Sequence, residues 1–463
     1  MKDMTKGNIY KTFLLFAVPL ILSGVLSQSY GIIDTVVVGK LLNSNCLAAI
    51  GATSPFIQFF LCIFWGYVFG FSIYIANLFG AREYKKLKTA VYVNFSVILV
   101  SIFVLSIISV IFKDFLFEFL AVDPEIRSDT SVYFIVYMLG GAFLIMNTFA
   151  VYTLSAFGIT VYPLLMSVLM SVLHIFGNFF AVKVLKFGVG GIAASAVFSA
   201  AVADICYFTE IRKCFKKMGV GKYRIKFGTD TIKECVRFSV PTTVQQTIMY
   251  VSSLAVSPMV NNLGGSASAA YIICLKIFDF NASIYQNSAK TVSNYLAQSI
   301  GAGKYNNINR GLRAGFVQGV VLAVPFLTVT VIFAKELCML FLSSENSHSA
   351  EFDMAFIFVR YFIPFIFFNL ICNLFHSFYR GVAAMQFLVI STSIGSISRI
   401  VATYFLLSTY GMNGVYIGWA ISWIAECIFT LVVYCSGRWK SADIKNFERG
   451  CENTSIPFLE KTN

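Results

Sequence analysis

Charged residues are scarce in this chain. They make up 12% of its 463 positions, against roughly a quarter in a soluble globular domain. Too few remain to coat a water-facing surface, which excludes a string of soluble domains. Histidine is rarer still, with three in all, and the eleven cysteines include no C-x-x-C pair. Neither a zinc site nor a disulfide framework follows from that spacing, and the thiols read as small buried hydrophobes. No H-E-x-x-H, G-x-S-x-G or P-loop occurs, which leaves a membrane enzyme without a motif. Acids number 22 against 35 Lys and Arg, for a net charge of +13. With no recognition motif beside it, that excess does not point to nucleic acid.

Hydrocarbon fills the chain instead: 58% of residues are hydrophobic and the mean hydropathy is +0.77. A bilayer crossing takes ~20 apolar residues. Stretches of that kind fall near 11 to 39, 47 to 78, 89 to 112, 131 to 156, 161 to 182 and 190 to 212. Six more lie near 238 to 260, 267 to 296, 314 to 334, 354 to 378, 385 to 408 and 412 to 435. Twelve spans put both termini on one side. The N-tail, the even-numbered loops and the C-tail hold 25 of the 35 basic residues, and the odd-numbered loops only 6. Cytoplasmic loops retain such an excess, so both termini are expected in the cytoplasm, with the basic loops against anionic lipid headgroups. The first span follows Lys2, Asp3 and Lys6 without a small-residue cleavage site and is read as a span, not a signal peptide.

The chain divides in two. Residues 212–237 form the longest polar interior segment, with nine Lys and Arg, and separate six spans from six. FAVP at 16 to 19 returns as FSVP at 238 to 241, FGAREY at 79 to 84 as IGAGKY at 300 to 305, and GVGG at 188 to 191 as GMNG at 411 to 414. An even number of spans per repeat gives both halves one orientation, so their pseudo-twofold axis runs along the membrane normal. The expected architecture is an all-α integral membrane protein: N-lobe 1–211, cytoplasmic linker 212–237, C-lobe 238–436 and cytoplasmic tail 437–463. Pro19 and Pro241 take matching places in spans 1 and 7, where a missing backbone hydrogen bond permits a bend. Small residues four apart in GYVFG (66 to 70) and GLRAGFVQG (311 to 319) read as close helix packing.

Polar residues in the spans fall on stripes. Ser23, Ser27, Tyr30 and Asp34 share one face of span 1, and Ser167, Ser171, His174 and Asn178 one face of span 5. Span 7 offers Ser239, Thr243, Gln246, Tyr250, Ser253 and Ser257; span 8 offers Lys276, Asp279, Ser283, Gln286 and Lys290. Span 10 gives Asn369, Asn373, His376 and Arg380, and span 11 Thr392, Ser396, Arg399 and Thr403. Such faces must look into protein or water, so a central cavity lined by both lobes is expected. Lys276 with Asp279, and Arg399 with Glu426, are candidate buried ion pairs. Asp34 has no basic residue in its own half's spans. A carboxyl group in that position carries either a proton or a cation, and that competition couples two fluxes.

The order and spacing of FAVP, YGIIDTVVVGK, LAAIGATSP, NLFGARE, LSAFGITVYP, GVGGIAAS, VSNYLAQSIGAGKY and the Arg399 segment resemble the multidrug and toxic compound extrusion (MATE) family over nearly the whole chain. The resemblance implies a V-shaped pair of six-helix lobes that exports organic cations or other amphiphiles in exchange for H⁺ or Na⁺, by alternating access and without a cofactor or bound metal. It places Asp34 at the family's cation-coupling aspartate, Tyr30 at a cavity tyrosine and Asn147 at a cavity asparagine. His174 and Asn178 stand where many relatives have N-x-x-x-D, and Ala196 where a threonine is usual; an imidazole suits sodium poorly. The resulting expectation is coupling through Asp34, His174 and Asn178, and a substrate cavity lined by Ser27, Tyr30, Asn147, Gln246, Tyr250, Lys276, Asp279, Asn373, His376 and Arg399. The partners expected are amphiphilic or cationic small molecules and membrane lipids, with a monomer as the working unit. The alternative within the same superfamily is a lipid-linked oligosaccharide flippase, with Lys276, Lys290, Arg380 and Arg399 holding a pyrophosphate.

Overall fold

Long apolar runs punctuated by glycine and proline become long helices joined by short turns. The computed structural model describes residues 1–41, 44–119, 122–225, 228–341 and 349–453, with side chains described outside 29–45, 47–48, 119 and 448–453. The N-lobe consists of α1 (Ile9–Leu41), α2 (Ser44–Gly80), α3 (Tyr84–Ile111), α4 (Arg127–Ala156), α5 (Val161–Val184, closing in a π turn) and α6 (Gly188–Lys217). The C-lobe consists of α7 (Thr229–Asn261), α8 (Gly265–Gly301), α9 (Asn307–Ile332), α10 (Ala350–Gly381), α11 (Met385–Tyr410) and α12 (Met412–Cys435). Among the described residues eleven helices are long and apolar enough to cross a membrane. The twelfth, α7, has the length at 33 residues but carries Ser239, Thr242, Gln245 and Ser252, all of which it buries against protein. In α10 a π turn at Phe358–Phe362 and a 3-10 turn at Ile363–Phe365 interrupt the α-helix, where Pro364 has no N–H to give.

The sequence repeat is repeated in the backbone. Gly188 and Gly411, which open α6 and α12, both have positive φ (56° and 54°). So do Arg82 and Gly303 (59° and 70°), at matching places in FGAREY and IGAGKY. Between the lobes, α6 runs on to Lys217 and α7 starts at Thr229. The intervening chain is tied to α3 by Lys88, whose buried Nζ donates to the carbonyls of Val220, Gly221 and Tyr223 at 3.1, 2.9 and 2.9 Å.

Small residues let the lobes touch backbone to backbone. α2 crosses α7 so closely that a Cβ on Gly66 would lie 2.7 Å from Thr243 Cα, and one on Gly70 2.3 Å from the Phe238 carbonyl oxygen. The GYVFG spacing therefore serves the lobe interface, while Gly311 and Gly315 of α9 close on Tyr295 and Val292 of α8 within the C-lobe. At the end bearing the basic loops, a Cβ on Gly80 would meet the Gln298 carbonyl at 2.1 Å, and one on Gly301 the Asn77 carbonyl at 2.0 Å. Gln298, 1% exposed, accepts from the Met4 amide at 3.0 Å and donates to the Ala156 carbonyl at 2.9 Å, which joins the segment before α1 to both lobes. Asp3 takes part there. Burial alone would push its carboxyl up, but hydrogen bonds from the Thr5 hydroxyl and amide, with Lys304 and Lys6 nearby, hold it below its ordinary value of 3.8. Its contribution is thus present above that value and fades as pH falls through the lower native one.

These contacts predict opposite signs for similar substitutions. Gly80→Ala and Gly301→Ala each force backbone apart and are expected to cost about 1–3 kcal/mol, whereas Gly51→Ala, with open space around it, should gain about 0.5–1 kcal/mol. Melting temperatures of the purified variants check both.

Candidate functional site

In the N-lobe the expected stripe on α5 meets α6. Gly177 admits α6 so closely that its Cβ would stand 3.0 Å from that of Ser195. The Ser195 hydroxyl donates to Asn178 Oδ1 at 2.5 Å, and His174 Nδ1 lies 3.0 Å from the same Oγ. Asn178 Nδ2 is 3.4 Å from His174 Nε2, which closes a ring of three side chains, each at most 5% exposed. Ser195, which supplies the hydroxyl of this ring, precedes the Ala196 that stands where a threonine is usual. Ser23 and Ser167 join α1 to α5 at 2.5 Å, and Ser27 bonds back to the Ser23 carbonyl within its own helix. Tyr30 and Asp34 lie outside the residues whose side chains are described.

One N-lobe group was not singled out from the sequence. Asp204 of α6 is 5% exposed and neither carboxyl oxygen has a hydrogen-bond partner. The Asn147 amide lies beside it and itself reaches Met170 Sδ at 3.2 Å. The signal was available, since AVADICYF interrupts an apolar run with one acid. A buried acid without a donor is costly unless protonated or visited by a cation.

The C-lobe residues divide into several groups. Arg399 does not pair with Glu426 as expected: its Nη1 and Nη2 donate to Ser253 Oγ at 3.3 Å and the Tyr271 hydroxyl at 3.0 Å, and its guanidinium lies 4.5 Å from the Trp419 ring centroid. Glu426 lies one turn away, where a Cβ on Gly395 would be 3.1 Å from its Oε2, and it faces His376 Nε2 at 3.1 Å. Nor do Lys276 and Asp279 form a buried pair; both are exposed, and among the described residues no ion pair joins them. Asn373 donates to Asn369, whose Oδ1 accepts from the Tyr285 hydroxyl at 2.5 Å. Gln246 is half-buried, while its neighbour Gln245 joins Arg380 to His376.

The lobes meet along a seam of cations on rings. Arg380 of α10 lies 4.2 Å from the Phe69 ring centroid, and Lys290 of α8 5.0 Å from that of Tyr152 and 5.9 Å from that of Phe69. Both rings belong to the N-lobe. Tyr250 of α7 crosses the same boundary, its hydroxyl donating to the Pro55 carbonyl at 2.6 Å.

Twelve long helices in two lobes that meet along a seam, with buried polar clusters inside each lobe, define a multi-pass membrane protein of the two-lobed transporter class. The chain belongs to the MatE family, whose model matches residues 19–180 and 241–405, one block in each lobe. It is 22% identical over 445 residues to the probable multidrug resistance protein YpnP of Bacillus subtilis (strain 168), covering 95% of this chain and 98% of that one. It is 23% identical over 344 residues to the multidrug export protein MepA of Staphylococcus haemolyticus (strain JCSC1435), covering 73% and 74%. The crystal structure of MATE in complex with MaL6 matches its fold with a TM-score of 0.87 at 19% identity, over 96% of this chain and 99% of that one.

If Ser195 closes the N-lobe ring, Ser195→Ala removes the hydroxyl that donates to Asn178 Oδ1 and should cost about 1–3 kcal/mol. Thermal unfolding of the variant beside Ser199→Ala, whose hydroxyl bonds only within its own helix, measures the difference.

Proposed function

We propose that this protein is a secondary-active exporter of amphiphilic, cationic small molecules, working in the cell membrane by rocking its two lobes and exchanging cargo for protons. The reading is carried by the family match across both lobes, together with relatives named for multidrug resistance and multidrug export. Protons are favoured over sodium because the ring at His174, Asn178 and Ser195 offers an imidazole where a sodium cage needs hard oxygen ligands. Asp34 and Asp204 are the proton carriers of the N-lobe. An incoming cation favours the ionised carboxylate, and reprotonation from the far side expels the cation. Asn147 beside Asp204 and the half-buried Gln246, Tyr250 and Asn373 are cargo contacts, with the exposed Lys276 and Asp279 in the wider vestibule.

One set of contacts favours a second reading, export of an amphiphile with an anionic headgroup. Lys290, Arg380 and Arg399 have amides, hydroxyls and rings as neighbours, and among the described residues none has a carboxylate ion-pair partner.

Dye-loaded proteoliposomes with pH and sodium gradients imposed separately decide among these. A pH difference alone should drive cationic dye, and a sodium gradient alone should not. One proton exchanged for one monovalent cation is electroneutral, so a unit of pH difference should sustain at most about a tenfold dye gradient. Asp34→Asn and Asp204→Asn should each lose most of the pH-driven flux; full retention in both rejects the proton reading. Transport of an anionic amphiphile with no cationic dye flux supports the second reading.

A further inference from the structure

Four buried side chains from three C-lobe helices form one line: Arg380 and His376 of α10, Gln245 of α7 and Glu426 of α12. Their exposures are 5%, 3%, 1% and 7%. Arginine has only donors, so the Gln245 atom that meets Arg380 Nη2 is the carbonyl oxygen. The other end of that amide, its NH₂, therefore faces His376 Nδ1 at 3.3 Å. An amide nitrogen accepts nothing, so Nδ1 is bare and the imidazole hydrogen sits on Nε2. There it is directed to Ser391 Oγ at 3.0 Å, and Glu426 Oε1, 3.1 Å from the same nitrogen, is left without a hydrogen. A cation on the far side of an amide thus fixes the tautomer of a neutral histidine, beside a buried carboxylate oxygen with no donor.

We propose that His376 is a second proton-binding site, with Glu426 as its counter-charge, and that its protonation and the Arg380–Gln245 hydrogen bond exclude one another. The step takes up one proton, which bonds to the Nδ1 lone pair and makes imidazolium. The new N–H needs an acceptor, and Gln245 supplies one only by turning its amide over. That places NH₂ against Arg380, which loses the one side-chain acceptor it has among the described residues, while Nε2–H turns from Ser391 to Glu426 as an ion pair. Arg380 also lies on Phe69 of the opposite lobe, so a proton bound inside the C-lobe alters the contact across the seam.

The groups that face the imidazole come from every neighbouring helix. They are Gln245 from α7, Ser391 from α11 and Glu426 from α12, with Arg380 of α10 behind Gln245 and the Cys372 and Cys427 thiols beside Glu426. Arg380 repels a charge on His376 and Glu426 attracts it. Arg399 is engaged with Ser253, Tyr271 and Trp419, and Lys290 with Asn287 and Tyr152. The proposal rests on the reading of the chain as a proton-coupled exporter, and its test is independent of transport.

With only three histidines in the chain, nitrogen-15 imidazole resonances of the full-length protein in lipid nanodiscs can be assigned by removing one histidine at a time. The expected spectrum shows His376 as the Nε2–H tautomer in alkaline solution, passing to imidazolium as the solution is acidified. In Glu426→Gln the step should need about tenfold more acid. In Gln245→Glu, which offers Nδ1 an acceptor without a flip, it should need about tenfold less. An Nδ1–H tautomer in alkaline solution, or a histidine that stays neutral until the protein unfolds, overturns the proposal, as does a step unmoved in both variants. If the wild type titrates as described but vesicles show no pH-driven dye flux, the site stands and the proton-exporter reading fails. If flux is pH-driven and His376 never protonates, the reverse holds.

Discussion

Inside hydrocarbon a polar side chain has no water to fall back on, so it must find its partner in protein or forgo charge. That constraint decides where this chain keeps its few polar groups. His174, Asn178 and Ser195 satisfy one another in the N-lobe; Gln245, His376 and Arg380 do so in the C-lobe. Lipid is left with Leu, Val, Ile and Phe, such as the exposed Phe103, Phe198, Ile205 and Phe405. Among the buried side-chain atoms without a hydrogen-bond partner are carboxyl oxygens of Asp204 and Glu426, and an acid is a side chain that can trade charge for a proton.

The two kinds of lobe contact suit different tasks. Near the basic loops the lobes meet through glycine, backbone on backbone, with Gln298 linking three segments. Such a contact is either made or broken, which suits the rocking of the lobes proposed above. Deeper along the seam, Arg380 and Lys290 rest on Phe69 and Tyr152. A cation on a ring is worth about 0.5–2 kcal/mol, whereas separating a buried ion pair costs about 3–5 kcal/mol. A seam of rings holds two positive charges at the lobe boundary without locking the lobes together.

Much of this was legible in the sequence, and the failures have physical reasons. Hydropathy placed the spans, and the GVGG/GMNG repeat read from the sequence coincides with matched positive φ values at Gly188 and Gly411. The α5 stripe brought His174 and Asn178 together because one face of one helix needs only 3.6 periodicity. Pairing between helices needs their relative height and rotation, which composition does not supply. Arg399 and Glu426 share the α11–α12 hairpin, but Gly395, one turn before Arg399, stands at the height of the carboxylate. α7 carries two adjacent stripes: Thr243 and Tyr250 meet the N-lobe at Gly66 and Pro55, and Gln245 meets the C-lobe. Gln246 lies on the first stripe and Gln245, one residue and about 100° round the helix, on the second. Asp204 was overlooked because no polar stripe on α6 announced it.

These parts join in the proposed account, in which acids within the two lobes exchange protons for cargo while the lobes rock. Its most direct test is proton counterflow in weakly buffered vesicles with no imposed pH difference. Adding cationic dye outside should move protons out in step with dye entering, and the lumen should turn alkaline. Dye entry at the same rate with no change in luminal pH would contradict the account.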